Sequence, residues 1–199
     1  MRRVARDQRG GLAAAGAARR ADASGGAAAV SGARSRKPPE PLDAARAWDY
    51  ALWLLGRQAY SAAEIERRLL RRKLPAADAE RVVARLIELQ LLDDERFATS
   101  FVRSRKAAKG PLALRSMLRQ RGVSEDVVHA ALEAEGETDQ VGAATALLAR
   151  QAWRFEAATS DDRDQALRAR SRAMAFLARR GFASDTVHAA LMRTWGDLD

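Results

Sequence analysis

Apolar residues recur along this chain at intervals of three and four, and no segment alternates with a period of two, so the pattern predicts helices and no sheet. Trp48, Leu52 and Leu55 stand at i, i+4 and i+7 and form the inward stripe of a first helix. Ile65 and Leu69 mark a second helix, and Val82, Val83, Leu86 and Leu89 a third. The plan then repeats with Phe97 and Phe101, with Leu114, Met117 and Leu118, and with Val128, Ala131 and Leu132. A last round follows in Val141, Thr145 and Leu148, in Met174 and Leu177, and in Val187, Ala190 and Leu191. The expected architecture is all-α, three tandem units of three helices each.

Direct repetition supports this division. LRQRGVSEDVVHAAL at 118–132 and LARRGFASDTVHAAL at 177–191 keep the leucine, the glycine and the VHAAL ending in register, and LLRRKLPAADAERVVARL at 69–86 is a weaker third copy. Such repeats stack and bury faces against their neighbours, so no single unit should be stable alone. Ser61 ahead of Glu64, and Ser124 ahead of an acidic turn, read as N-caps whose hydroxyls accept from orphan N–H groups. Gly110-Pro111 separates two helices of the middle unit, and Gly122 and Gly181 stand where a helix should end in a left-handed residue. Residues 155–165, with Ser160, Asp161 and Asp162, are the expected long connection and make the third unit the least regular. The units are placed at 43–93, 94–137 and 138–199.

Composition sets residues 1–42 apart. They are rich in Ala, Gly, Ser and Arg, end near Pro38-Pro39, and offer few large apolar side chains to offset the entropy of ordering them, so a disordered tail is expected. They hold nine basic against three acidic side chains, six of the net +9 charges. Such a leader reads either as a flexible arm attracting nucleic acid non-specifically or as a compositional bias, and its composition also resembles a transit peptide. There is no cysteine, which excludes disulfides, thiolate catalysis and Cys-ligated metal. No apolar run reaches the length of a membrane span, and the cytoplasm is the expected compartment.

Three groups of residues resemble those of one known family. They are Ala51, Leu52, Leu54, Leu55, Arg57, Tyr60, Ser61, Glu64 and Ile65; the run LLDDERFATSFVRSR at 91–105; and Gly110, Leu114, Leu118, Gly122 and Val123. In order and spacing they resemble the RecX regulators of the RecA recombinase, with the helical repeats extending the resemblance over about 44–199. The chain departs from the family where Gln90 and Leu91 stand in place of a glycine and an aromatic residue. The resemblance implies an elongated, curved, monomeric regulator without enzymatic activity or cofactor. It would lie on the RecA–DNA filament and inhibit its ATPase, strand exchange and assembly.

Candidate contact residues follow from helical phase. Arg67, Arg68 and Arg71 project away from Ile65 and Leu69, with Arg72 and Lys73 beside them, giving five basic residues among seven positions. Arg96, Arg103 and Lys106 project away from Phe97 and Phe101, and Lys109 follows. Arg105 falls near the aromatic side and should stack or pair within the fold. Arg115 and Arg119 belong to an alternative reading in which the triplets act as helix-turn-helix modules on DNA. The acidic starts of the third helices, at Asp78, Glu125 and Asp185, would repel phosphates and count against specific readout. A helical-repeat adaptor is the remaining alternative. Asp93, Asp94 and Glu95 read as helix capping and not as a metal site, and Trp48, Trp53, Trp153 and Trp195 as core. His129 and His188, in equivalent repeat positions, read as structural. No phosphate loop, nucleophile elbow or paired-histidine metal motif is present.

Overall fold

The computed structural model describes residues 42–135 and 139–197, so the expected disordered tail lies outside the described residues except for Leu42. The described residues form nine α-helices and no strand: α1 (Ala44–Leu55), α2 (Ala62–Arg71), α3 (Ala76–Glu88), α4 (Asp94–Arg105), α5 (Pro111–Gln120), α6 (Glu125–Ala134), α7 (Gln140–Arg150), α8 (Arg163–Arg179) and α9 (Ser184–Trp195). They gather on three separate apolar cores. The first runs from Leu42 to Leu92, the second from Phe97 to Ala131 and the third from Ala144 to Leu191. Ile65, Leu69, Leu118 and Leu177, each on the middle helix of its triplet, are fully buried.

The ends of the helices repeat as closely as their faces. Each first helix starts on an aspartate whose carboxylate accepts from the opening turn: Asp43 from the Arg46 N–H at 2.7 Å, Asp93 from Arg96 at 2.8 Å and Asp139 from Gly142 at 2.7 Å. Each middle helix ends in a Schellman turn, in which the residue after the left-handed one donates to the carbonyl five residues back. The bonds are Leu74 to Leu69 at 3.3 Å, Val123 to Leu118 at 3.2 Å and Phe182 to Leu177 at 3.3 Å. Both residues of every pair are buried, which is the apolar contact that accompanies this motif. The left-handed positions are Lys73 (φ 60°), Gly122 (φ 87°) and Gly181 (φ 82°).

These turns are also the joints between triplets. The residue before each left-handed position is an arginine, Arg72, Arg121 or Arg180, and its carbonyl is one of the acceptors that a helix C-terminus leaves without an internal partner. The Arg121 carbonyl accepts from Ser61 Oγ at 2.7 Å and from Arg67 Nη2 at 2.8 Å, while Arg67 Nη1 reaches the Gln120 carbonyl at 3.3 Å. The Arg180 carbonyl accepts from the Gly110 N–H at 2.8 Å, and that of Gly181 from Leu112 at 3.1 Å. At the start of the first triplet the donor is the Leu42 N–H, at 3.1 Å from the Arg72 carbonyl. The C-terminus of α5 therefore abuts the N-terminus of α2, and that of α8 the N-terminus of α5. Leu42, assigned by composition to the tail, is buried as part of this first joint.

Several expectations change. In α1 the inward stripe is Ala47, Ala51 and Leu54, one residue out of phase with Trp48, Leu52 and Leu55. The methyl side chains face the packed neighbours and the larger ones flank them, so residue size misled the phase. Leu52 and Met174 are exposed for the same reason, with Ala173, Phe176 and Leu177 facing inward on α8, whereas Leu89 is exposed as the cap past the end of α3. The connection at 155–165 is not irregular throughout: two 3-10 turns, Ala152–Arg154 and Glu156–Thr159, precede α8, which starts within the expected connection. Phe155 between them is buried against Phe176 and Trp195, with ring centroids 5.8 and 6.2 Å away. Ser61 forms a capping box with Glu64, whereas Ser124 occupies the N-cap of α6 without its hydroxyl accepting a bond from the helix. Gln90, where the resembled family carries glycine, is left-handed at φ 56° and closes α3 in the same type of turn, with Leu91 donating to Leu86 at 2.9 Å.

A β-carbon at Gly122 would lie 2.4 Å from that of Ala63, and one at Gly181 2.3 Å from the Ala113 nitrogen. Gly122→Ala and Gly181→Ala should therefore each cost more than the roughly 1 kcal/mol of the left-handed backbone alone. Lys73→Gly, relieved of the same backbone cost, should not lower stability. Urea unfolding of the three variants checks this order.

Candidate partner-binding surface

The cations singled out from the sequence have different fates. Arg67 belongs to the joint, bound to three carbonyls, those of Ala63, Gln120 and Arg121, and does not face away from the fold. Two of the three lie 53 and 54 residues away, beyond the reach of any helical wheel. Arg68 lies over the Tyr60 ring at 4.1 Å and Arg72 over Tyr50 at 5.0 Å. Arg103 and Lys106 grip the Glu135 carboxylate at 2.6 and 3.0 Å. Arg115 and Arg119 share Glu125, each at 3.4 Å, which offsets one of their two charges and sets an acid on the face that a DNA-reading helix would use. Among the described residues, the side chains of Arg71, Lys73, Arg96 and Lys109 have no hydrogen bond, ion pair or ring contact. Arg105 stacks on Phe101 at 4.0 Å.

A cavity of about 370 Å³ adjoins one of these free cations. Val102, Leu114, Leu132 and Phe182 supply apolar walls, and Lys109 and Arg115 supply charge. Phe182 is the residue that follows the left-handed Gly181, so the third triplet completes a wall of the second.

The acidic block at 93–95 works across triplets. Asp93 caps its own helix, whereas Asp94 Oδ1 accepts the Ala62 N–H at 2.8 Å and so caps α2 in the preceding triplet. Burial pushes the Asp94 carboxyl above the usual aspartate value; the Ala62 N–H pulls it down, and Asp93 and Glu64 push it up again. Glu135 behaves oppositely, with its hydrogen bonds to Arg103 and then Lys106 holding it below the ordinary glutamate value. Among the described residues no group of three potential ligands could hold a metal ion, and no helix is long and apolar enough to cross a membrane.

Sequence reasoning missed a cluster on α1. Tyr50 and Trp53 stack with centroids 5.9 Å apart and planes 18° from parallel, and Arg57 lies over Trp53 at 4.9 Å. Trp53 is 54% exposed and Trp153 72%, so neither is the core residue expected. The signal was available: Tyr50, Trp53 and Arg57 stand at i, i+3 and i+7, a quarter turn from the alanine stripe.

Comparison with known proteins matches the first two triplets separately. Residues 47–86 match the family model described as RecX, first three-helix domain, and residues 93–132 that described as RecX, second three-helix domain. The regulatory protein RecX of Halorhodospira halophila is 41% identical over 143 residues, covering 71% of this chain and 84% of that one. Its counterpart in Chlorobium phaeobacteroides is 36% identical over 151 residues, covering 75% and 93%. The crystal structure of RecX from Lactobacillus salivarius shares the fold, with a TM-score of 0.64 at 22% identity over 76% of this chain and 96% of that one.

Acid titration separates the two shifted carboxyls. Glu135, with its folded value lowered, contributes stability that is full above the ordinary value of 4.5 and is lost as pH falls through the folded value. Asp94, with its folded value raised, carries the reverse share, full below 3.8 and lost as pH rises through the folded value. Glu135→Gln should thus melt with less loss below pH 4.5 than the parent. At pH 7, Asp94→Ala should lose about 1 kcal/mol through the missing cap. Asp94→Asn, which keeps an acceptor and sheds the desolvated charge, should lose less.

Proposed function

The chain belongs to the RecX family, and on that premise we propose that it is a regulator, mainly negative, of the RecA recombinase. It binds the RecA–DNA filament and inhibits its ATPase, strand exchange and assembly, working in the cytoplasm as a monomeric binding protein without catalysis or cofactor. The observation that carries this reading is the ordered match to the first and second three-helix domains, in a chain whose relatives are named regulatory proteins. The joints give it a physical basis. Triplets locked end to end by hydrogen bonds between helix ends present side chains at fixed spacing, as recognition of a polymer's repeating surface requires. On this reading the triplets divide at 93/94 and 137/138, and residues 1–42 add non-specific affinity for DNA.

The filament contact is assigned first to Arg71, Lys73, Arg96 and Lys109, whose charges the fold leaves available. Arg103, Lys106, Arg115 and Arg119 contribute where a partner's acid displaces an internal one, and Arg68 and Arg72 where one draws them from the Tyr60 and Tyr50 rings. The helix-turn-helix alternative is disfavoured by the Glu125 carboxylate between Arg115 and Arg119.

The protein at substoichiometric amounts should lower the DNA-dependent ATPase of its cognate RecA while hydrolysing no nucleotide itself. An unchanged ATPase up to excess, with no co-sedimentation on RecA filaments, would falsify the assignment. Reversing Arg71, Lys73, Arg96 and Lys109 to Glu should weaken co-sedimentation and leave melting within about 0.5 kcal/mol per site, as for exposed residues generally. Reversing Arg67 should instead lower stability, because it leaves joint carbonyls without their donor.

A further inference from the structure

The stacked cluster on α1 has a composition that packing does not require. Along one face run Arg46, Tyr50, Trp53 and Arg57, at i, i+4, i+7 and i+11, and Arg72 reaches the same face from the end of α2. The order in space is a ladder, Arg72 over Tyr50, Tyr50 on Trp53, Trp53 under Arg57, with successive separations of 5.0, 5.9 and 4.9 Å. Tyr50 packs partly against the first core, but Trp53 has the greater part of its surface in water. A large aromatic residue held rigid at the surface, flat against a second ring and flanked by guanidinium groups, has the make-up of a base-stacking platform. Every nucleobase offers a π-face to such a ring, and the adjoining guanidinium groups attract the phosphates on either side. Asp43, the nearest acid toward the start of the helix, is held by Arg46, and Asp49 borders the face without pairing to Arg57.

We propose that the Tyr50, Trp53, Arg57 and Arg72 ladder binds single-stranded DNA, with an unpaired base displacing the Arg57 guanidinium from the face of Trp53 and the freed Arg57 holding a neighbouring phosphate. A duplex is a poor occupant, because its bases are already stacked on one another. A protein segment would need acids at both ends of the ladder but would have no use for two stacked rings. The choice of DNA over RNA rests on the proposed role at a RecA–DNA filament; the stacking itself does not. The site shares Arg72 with the wider filament surface but uses none of the four cations to which that contact is first assigned, and the test varies only Trp53 and Arg57, so the two assignments can fail separately.

The test uses the full-length chain, without RecA, and two oligonucleotides of equal length and charge, oligo(dT) and its abasic counterpart, across a salt series. The basic N-terminal residues attract both strands alike, so only stacking distinguishes them. The parent should bind oligo(dT) at least roughly fivefold more tightly than the abasic strand, the lower end of what stacking one base contributes. Trp53→Ala should erase that preference while keeping the salt dependence, and Trp53→Phe should restore part of it. Arg57→Ala should weaken both strands and flatten the log–log salt slope by up to about 0.7, the share of one phosphate contact on a single strand. Because Trp53 is mostly exposed, circular dichroism and melting should match the parent in each variant. A parent indifferent to the bases, or a Trp53→Ala variant that keeps the full preference, overturns the proposal and leaves the ladder as a cover over the first core. Tighter binding of oligo(U) than of oligo(dT) overturns the assignment to DNA. Inhibition of RecA ATPase by Trp53→Ala, measured in parallel, reports on the filament reading alone.

Discussion

The structure depends on one unsatisfied group, the carbonyl of the arginine that ends each middle helix. A helix C-terminus leaves its last carbonyls without internal partners, and burying one unpaired costs about 1–3 kcal/mol. Three solutions to this problem occur in one chain. The Leu42 amide, the Ser61 hydroxyl with the Arg67 guanidinium, and the Gly110 amide each supply the donor. In the last two cases the donor comes from the N-terminal end of a middle helix in the preceding triplet, where orphan N–H groups give the complementary partial charge. Two helix ends that would each be incomplete thus complete one another. The requirement sets the order of stacking, because only the N-terminal end of one middle helix presents donors to the C-terminal end of the next. Asp94 adds a bond between the first two triplets, its carboxylate accepting from the Ala62 N–H at the start of α2.

Glycine at two of the three turns and lysine at the other follows from where pressure is applied. All three positions are left-handed, so the backbone alone would favour glycine at each by roughly 1 kcal/mol. At Gly122 and Gly181 a second constraint is present, since the neighbouring triplet approaches so closely that a β-carbon would overlap Ala63 or Ala113. Lys73 is exposed, and the donor that meets its turn is the Leu42 N–H, just ahead of the α1 N-cap, and not the start of a middle helix. Only the backbone constraint acts there, and the Schellman bonds with the buried contact of Leu74 and Leu69 are sufficient to hold a non-glycine residue. Gln90 is a second non-glycine instance, left-handed and exposed.

What was legible in the sequence was local. Helix number, the capping box at Ser61, the left-handed glycines and the inward positions of Ile65, Leu69, Phe97, Phe101, Leu114 and Leu118 all follow from residues within one or two turns of each other. Where alanine replaced a larger residue on the buried side, the wheel pointed the wrong way, as it did for α1 and for Met174. The stacking arginine Arg105 was legible because Phe101 is one turn away. Arg67 and Asp94 were not, because their partners belong to another triplet and nothing in a helical period encodes which neighbour will arrive. The repeated Arg-Gly pair was visible in two copies, yet its working atom is a main-chain oxygen, common to every residue type, and so left no mark in the pattern.

The same distinction governs how charge should be read in this fold. The arginines are numerous, but many are not surface charges available to a partner. Arg67 is bound to main-chain carbonyls at a joint, and Arg180 to the Ala108 carbonyl at the next. Arg170 ties the Ala158 carbonyl to those of Trp195 and Gly196 at the end of α9. A guanidinium can do this because it offers several donors in one plane, keeps its charge, and is less strongly hydrated than an ammonium group. Such residues are expensive to replace but contribute little to recognition, since a partner would have to compete with carbonyls already in place. A charge count along the sequence therefore overstates the cationic surface and points to the wrong helix face. The proposed partner contacts are accordingly placed where charge remains uncommitted, at Arg71, Lys73, Arg96 and Lys109, and where an aromatic surface faces water, at Trp53.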